Sequence, residues 1–152
     1  MITKYGFTQF SIQEFENYIK NLSVSRTILY IQEHHTFSPD YKLFNGTNQL
    51  ELQYGMKNHH VKVNGWSDIG QHFSTFRDGS IVTGRSMEIS PACIYGFNSY
   101  AICIENVGNF DVGKDQMSIA QKETIVKMTA ILCNRFNVPV NTDRIYKINY
   151  RE

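Results

Sequence analysis

The sequence predicts an α/β domain built on one central mixed sheet with helices on both faces, and three observations predict it. Segments of strand and helix character alternate along the chain, the pattern that gives a mostly parallel or mixed sheet covered on both sides. Two strand segments, Thr27–Glu33 and Tyr100–Val107, are apolar on both faces, as strands lying between two helical layers must be. The 152 residues, 41% of them apolar, are one domain's worth of chain and can bury a core unaided. A single domain over 1–152 is expected.

The first helix is signalled by a capping box, Ser11 with Glu14, and by Phe10 and Phe15 in staple positions. Phe15, Tyr18, Ile19 and Leu22 then keep helical spacing. Thr27–Glu33 follows as an inner strand, with His34, His35 and Thr36 placed at its end. Asn48 and Glu51 predict a second capping box and a helix to about Asn58, with Gly55 as its weak point. Arg77-Asp78-Gly79 between 71–76 and 80–84 predicts a hairpin, because Asp-Gly suits the turn that matches strand twist. Residues 86–100, carrying Pro91, Gly96 and Asn98, read as a loop, and Tyr100–Val107 as the second inner strand. Ser118 and Gln121 cap a long helix on which Ile119, Lys122, Val126, Thr129, Cys133 and Phe136 keep the spacing of one face. Asn137-Val138-Pro139 ends it, and Ile145–Asn149 predicts a last short strand.

Composition narrows the function. Fifteen basic and fourteen acidic residues leave a net charge of +1, which argues against nucleic-acid binding and against a polybasic membrane surface. Apolar runs such as Ala101–Ile104 are far shorter than a membrane helix, and Glu14, Glu16 and Lys20 interrupt any signal-peptide core at the N-terminus. The three cysteines, Cys93, Cys103 and Cys133, are odd in number and unclustered, so reduced thiols are expected rather than a disulfide frame or a zinc ribbon.

Five histidines offer imidazole, the commonest zinc ligand: His34, His35, His59, His60 and His72. His34 and His35 are adjacent in a strand, so they point to opposite faces and only one serves a given site. On spacing alone each histidine reads first as a satisfied or surface residue. Glu33, Asp68, Glu88, Glu105 and Asp111 are candidate acids or bases with nothing local to single out a pair. No His-Glu-x-x-His, Cys-x-x-Cys or Walker loop occurs. Trp66, the only tryptophan, reads as a core anchor beside a turn. Arg85 reads as either a surface ion pair or a bidentate carboxylate clamp.

The segment Gly-Trp-Ser-Asp-Ile-Gly-Gln-His-Phe at 65–73, followed by Arg-Asp-Gly at 77–79 and Gly84-Arg85, resembles the type 2 N-acetylmuramoyl-L-alanine amidases. These zinc amidases include phage lysins and the peptidoglycan recognition proteins. His34-His35-Thr36 matches the family's His-His-Thr, His60 matches a histidine it carries before the Gly-Trp motif, and Asn98–Glu105 resembles its next loop and strand. The resemblance covers about Tyr30 to Asp143 and is similar in look to clostridial and phage endolysin catalytic domains.

The resemblance implies cleavage of the amide between the lactyl group of N-acetylmuramic acid and the L-alanine of the stem peptide. It implies zinc, which lowers the pKa of its bound water, with His34 as the first of three ligands. It implies a groove where His34, His60, Trp66, Gln71 and Arg85 converge, with His72 and Asn98 also at the substrate. Arg85 would hold a peptide carboxylate and be dispensable for stability. Gln71 stands at the family's catalytic tyrosine position, where it can donate a hydrogen bond to an oxyanion but cannot act as a base. The family's second histidine and its cysteine have no counterpart in Asp143–Glu152, and Cys133 lies inside the long helix instead. The expectation is therefore a C-terminal end lost by truncation or frameshift, and zinc bound weakly or not at all. The alternative function is a metal-free peptidoglycan-binding module. Peptidoglycan or muropeptides are the implied partners, with no nucleic acid and no membrane. A monomer is expected, made in the cytoplasm without a signal peptide and acting at the cell wall after release.

Overall fold

The structure, a computed structural model, describes residues 1–147. Its elements are β1 (Ile2–Lys4), β2 (Phe7–Phe10), α1 (Ile12–Asn21), β3 (Tyr30–His35), α2 (Gln49–Lys62), β4 (Phe73–Thr75), β5 (Ile81–Thr83), β6 (Ala101–Asn106), α3 (Ile119–Phe136) and β7 (Ile145–Lys147). The strands form one mixed sheet in the order β1-β2-β5-β4-β6-β3-β7. β6 runs parallel to β3 and β4, β7 runs parallel to β3, and the β1-β2-β5-β4 side is antiparallel. The two strands expected to be inner are inner. Their register sets Gln32 against Cys103 and His34 against Glu105, so these four residues share one face.

The other face carries α1 and α3. Phe15 and Ile19 from α1 and Met128 and Leu132 from α3 are buried against Ile31, Phe73, Ile102 and Ile104. Phe15 meets Phe73 edge to face, with centroids 5.1 Å apart. The face with His34 is covered further along by α2, where Leu50 and Met56 pack with Phe7, Ile69, Phe76, Val82 and Val107.

The capping box on α1 is formed as its sequence predicts. The Glu14 N–H donates to Ser11 Oγ at 3.2 Å, and the Ser11 N–H donates to Glu14 Oε2 at 2.9 Å. The second expected box is not. Asn48 precedes α2, but its side chain accepts from the Asn45 N–H and donates to Leu43 O, tying the preceding turn. Glu51 is drawn instead into an ion pair with Lys4 Nζ at 2.7 Å. The helix also runs past Asn58 to Lys62, Gly55 notwithstanding.

Other boundaries move as well. The β1–β2 hairpin was not expected; Tyr5 and Gly6 take φ of 57° and 81°, as a tight two-residue turn demands. The strand before His34 begins at Tyr30 rather than Thr27 and holds His34 and His35 within it, because their partners Glu105 and Asn106 continue the ladder. In the expected last strand, Ile145–Lys147 pairs with β3, while Ile148 and Asn149 lie outside the described residues.

The inward face of α3 differs from the apolar spacing that predicted it. Ile119 is 78% and Val126 61% exposed, while Gln121, Thr124, Met128, Leu132 and Cys133 face inward. Gln121 is buried because loop and strand ends there need its amide. Its Nε2 donates to Thr75 O (3.2 Å), Thr75 Oγ1 (3.0 Å) and Val107 O (3.2 Å), and its Oε1 accepts from the Tyr41 hydroxyl. Gln121→Leu keeps the volume and orphans these partners. It is expected to lower stability by about 2–4 kcal/mol in urea denaturation, since each buried polar group left unpaired costs about 1–3 kcal/mol.

Candidate functional site

A groove of about 520 Å³ lies between α2 and the loops that follow β3 and precede β6, over the ends of β3 and β6. His59, His60, Trp66, Gln71, Cys93 and Glu105 are among the residues lining it. His60 comes from the last turn of α2. The Gly70 N–H donates to its Nδ1 at 3.0 Å, and its ring lies against Trp66 with centroids 4.7 Å apart. Burial, then the charges of His59 and Arg85, lower its pKa, so the ring stays neutral in neutral solution. Trp66 is not a core anchor; it is 37% exposed in the groove wall. Gly70 lets it sit there, since a Cβ on Gly70 would come 2.8 Å from the Trp66 ring and 2.5 Å from Ala92 O.

Gln71 is fully buried at the groove wall. Its Nε2 contacts Ser74 Oγ at 3.0 Å and Met56 Sδ at 3.6 Å, and its Oε1 has no partner among the described residues. His72, one residue on, points the other way. Its Nδ1 accepts from the Cys103 N–H at 3.1 Å, and its Nε2 lies 2.8 Å from Ile89 O, which fixes the Nε2–H tautomer. Burial is the main cause of its pKa falling to about 3. His72 is thus a neutral bridge between β6 and the loop at Ile89, with both nitrogens engaged.

Arg85 does not offer a free fork. Its Nε donates to Ile69 O (2.8 Å), Nη1 to Ser90 O (3.0 Å) and Nη2 to Asp68 O (3.2 Å), and the residue is buried. The expectation that it clamps a carboxylate and is dispensable for stability gives way to a different role, since its donors hold the 68–69 and 90 segments together. Asn98 is likewise turned inward, its Oδ1 accepting from the Cys93 and Ile94 N–H groups at 2.9 Å each. It fixes the loop that presents Cys93.

The two adjacent histidines separate as alternation requires, but both reach the site region. His35, at the end of β3, lines the groove, accepts from the Phe110 N–H at 3.1 Å and lies 3.7 Å from Asp111 Oδ1. His34 lies deeper, with a side chain 1% exposed and, among the described residues, no hydrogen-bond partner at either nitrogen. Burial, with His35 beside it, lowers the His34 pKa to about 4. Glu105 Oε1 is 3.8 Å from His34 Nδ1. Burial, and then the charge of Glu33, raise the Glu105 pKa to about 8. At neutral pH this contact therefore joins a neutral imidazole and a protonated acid, and it is not an ion pair. Glu33, on the other face, accepts from Asn106 Nδ2 (3.0 Å) and Thr129 Oγ1 (2.8 Å); burial raises its pKa to about 7.

The cysteines depart from the reduced, unclustered picture. Cys93 and Cys103 are joined by a disulfide, and Cys133 is free and buried in α3. Ten residues separate the pair in sequence, and the loop held by Asn98 folds back to close that distance. The two sulfurs and a ring nitrogen of His34 all lie within 4.8 Å of one another. As a donor set, one imidazole nitrogen and two sulfurs suit zinc. His34 fits a first ligand, neutral and with both ring nitrogens uncommitted. The stretch 143–152, where a second histidine was sought, holds none; 145–147 forms β7, and 148–152 lie outside the described residues.

Similarity to known proteins follows the same lines. The profile of the N-acetylmuramoyl-L-alanine amidase family matches residues 24–149. The endolysins of Klebsiella phage KP32 and Enterobacteria phage K11 are each 36% identical over 50 residues, which is 33% of this chain and 33% of each relative. The match thus spans about a third of the length of these curated relatives. Among solved structures, the endolysin N-acetylmuramoyl-L-alanine amidase LysCS from Clostridium intestinale is 26% identical with a TM-score of 0.63, over 80% of this chain and 69% of that one. Drosophila peptidoglycan recognition protein SA, at 23% identity and a TM-score of 0.67 over 83% of this chain and 70% of that one, shares the fold. The family is generally zinc-dependent, and among the described residues His34, Cys93 and Cys103 form a group that could hold a metal ion, with its two sulfurs bonded to each other in this structure. With the profile running over most of its length, the chain belongs to the N-acetylmuramoyl-L-alanine amidase family.

Proposed function

We propose that this chain is a peptidoglycan amidase of endolysin type that hydrolyses the amide between N-acetylmuramic acid and L-alanine, acting at the bacterial cell wall after release. The observation that carries it is the family match over 24–149, with His35, His59 and His60 lining one groove. Water adds across the amide, leaving a carboxyl on the lactyl group and a free amine on L-alanine. Zinc, when bound at His34, would polarise the carbonyl and make hydroxide available near neutral pH.

The chain's own groups supply the rest. Trp66 and His60 present a flat, partly apolar wall to a muropeptide. Glu105, beside His34 and lining the groove, is placed to pass a proton to the departing amine. Gln71 meets an oxyanion only with its amide turned. Ser74 Oγ can donate as well as accept, so the turned amide keeps that bond and frees its NH₂.

The test is incubation of purified cell walls with the zinc-supplemented protein, reading newly exposed L-alanine α-amines. Amine release by the parent is expected, falling at least about 100-fold in Gln71→Ala, the scale of losing one oxyanion donor. Cell-wall binding by the parent with no amine released would instead identify a peptidoglycan-binding module.

A further inference from the structure

We propose that Cys93 and Cys103, once their disulfide is reduced, join His34 as a three-ligand zinc centre, so that the bond between the two sulfurs opens and closes the metal site. The inference takes from the amidase reading only the reaction a bound zinc would serve; metal uptake and thiol count are read without any hydrolysis.

Three independent features point there. First, His34 is a buried imidazole to which no hydrogen-bonding group among the described residues is joined at either nitrogen. His35, His60 and His72 each have a ring nitrogen engaged by backbone. An orphaned buried polar group costs about 1–3 kcal/mol, and a metal ion is one way to recover it. Second, the three donor atoms already lie within 4.8 Å of one another. Ligands around a tetrahedral zinc with bonds of about 2.0–2.3 Å sit roughly 3.5–3.8 Å apart, so only small movements are needed to admit an ion. Third, the two sulfurs are held differently. Cys103 is fixed in the central strand β6, where its N–H donates to His72 and its carbonyl accepts the His72 N–H. Cys93 sits on the 86–100 loop, half-buried and lining the groove. The loop side can open by the roughly 1.7 Å that separates a disulfide from two thiolates on one zinc, and half-buried Cys93 is within reach of a reductant.

The surroundings suit such a centre. Three protein ligands leave a fourth position, and the groove on the Cys93 and Glu105 side is where water or substrate would enter it. Glu105, 3.8 Å from His34 Nδ1, stands where a carboxyl that orients a zinc-bound imidazole would stand, leaving Nε2 to the metal. In the oxidised chain the same sulfurs are bonded to each other and are not thiolates, so His34 alone remains. Opening the site takes two electrons. A phosphine gives them, taking oxygen from water to become its oxide, and the disulfide becomes two thiols. Zinc then displaces one proton from each thiol to solvent.

The experiment uses the full chain, oxidised or reduced by a water-soluble phosphine, dialysed against zinc and separately against cobalt. Metal is measured by atomic absorption, free thiols by titration, and cobalt by its thiolate charge-transfer absorption. The reduced protein is expected to gain two titratable thiols before loading and about one zinc per chain, with the charge-transfer band. The oxidised protein should take up neither metal. Cys93→Ser lies on the loop and should fold as the parent does by circular dichroism, yet bind zinc at least 10-fold more weakly in reduced form; His34→Ala should do the same. Equal zinc uptake in both redox states, no uptake by the reduced parent, or undiminished uptake by reduced Cys93→Ser would each overturn the proposal. Redox-gated zinc uptake without cell-wall cleavage would uphold it while refuting the amidase reading. Cell-wall cleavage together with equal zinc uptake in both redox states would do the reverse.

Discussion

Arg85→Ala is expected to lower stability by about 3 kcal/mol and to depress the melting temperature by roughly 6–12 °C, on a slope of about 2–4 °C per kcal/mol for a chain of this size. The cause is the set of carbonyls it leaves. Asp68, Ile69 and Ser90 each lose the donor that now faces them at 2.8–3.2 Å. Hydrogen bonds from a charged donor are worth about 1.5–3 kcal/mol each, and desolvation of the buried guanidinium offsets part of the sum. Arg85→Lys keeps the charge but has no fork to reach three carbonyls at once, so it should recover less than half of the loss. Urea unfolding of the three proteins measures this. In the cold, where every variant is folded, muropeptide binding should be nearly the same for all. A fully stable Arg85→Ala protein that had lost muropeptide binding would restore the carboxylate clamp and remove the loop-holding role.

That outcome turns on what a sequence can display. The box at Ser11 and Glu14 was legible because all its partners lie within four residues. The inner strands were legible because two-sided apolar character follows from their place in the sheet. The inward face of α3 was not, because Gln121 is buried for the sake of Thr75 and Val107, carbonyls that only the folded chain brings to it. A count of apolar residues therefore rotated the helix toward Ile119 and Val126. Arg85 misled in the same way, since its family position was visible but its three acceptors were not.

The site divides along the same line. His34, His60, Trp66 and Gln71 could be picked out from the family resemblance, and His60, Trp66 and Gln71 line one groove, with His34 buried in β3. Cys93 and Cys103 could not. One lies on a loop and the other on a strand, and their approach to His34 depends on the parallel register of β3 with β6 and on the turn that Asn98 ties. Glu105 stood in the sequence as one of five unremarkable acids. Its unusual state comes from that same register, which buries it opposite His34 with Glu33 on the adjoining strand.

Stability should peak between about pH 4.5 and 6.5 and fall on both sides, for opposite reasons. Glu33 and Glu105 titrate near 7 and 8 in the folded chain but near 4.5 when unfolded. The native state therefore holds protons that the unfolded chain releases. Their stabilising contribution is complete below pH 4.5 and is lost as pH rises through 7 and 8. His34 and His72 titrate near 4 and 3 when folded and near 6.5 when unfolded. Their contribution is complete above pH 6.5 and is lost as pH falls through 4 and 3. Between pH 5 and 9 the two acids together should remove on the order of 7 kcal/mol, of which the histidines return about 4 between pH 5 and 6.5, each unit of difference being about 1.4 kcal/mol. The larger share belongs to Glu105, whose Oε2 has no partner among the described residues, whereas Glu33 is held by Asn106 and Thr129. Glu105→Gln keeps the shape and cannot ionise. Urea denaturation of the oxidised protein at pH 5, 7 and 9 should show the parent weakening steadily and Glu105→Gln losing less than half as much, so that the variant is the more stable protein at pH 9. Parallel pH profiles for the two proteins would mean that Glu105 ionises in the folded chain as readily as in water, and that the wall beside His34 is wetter than its burial indicates.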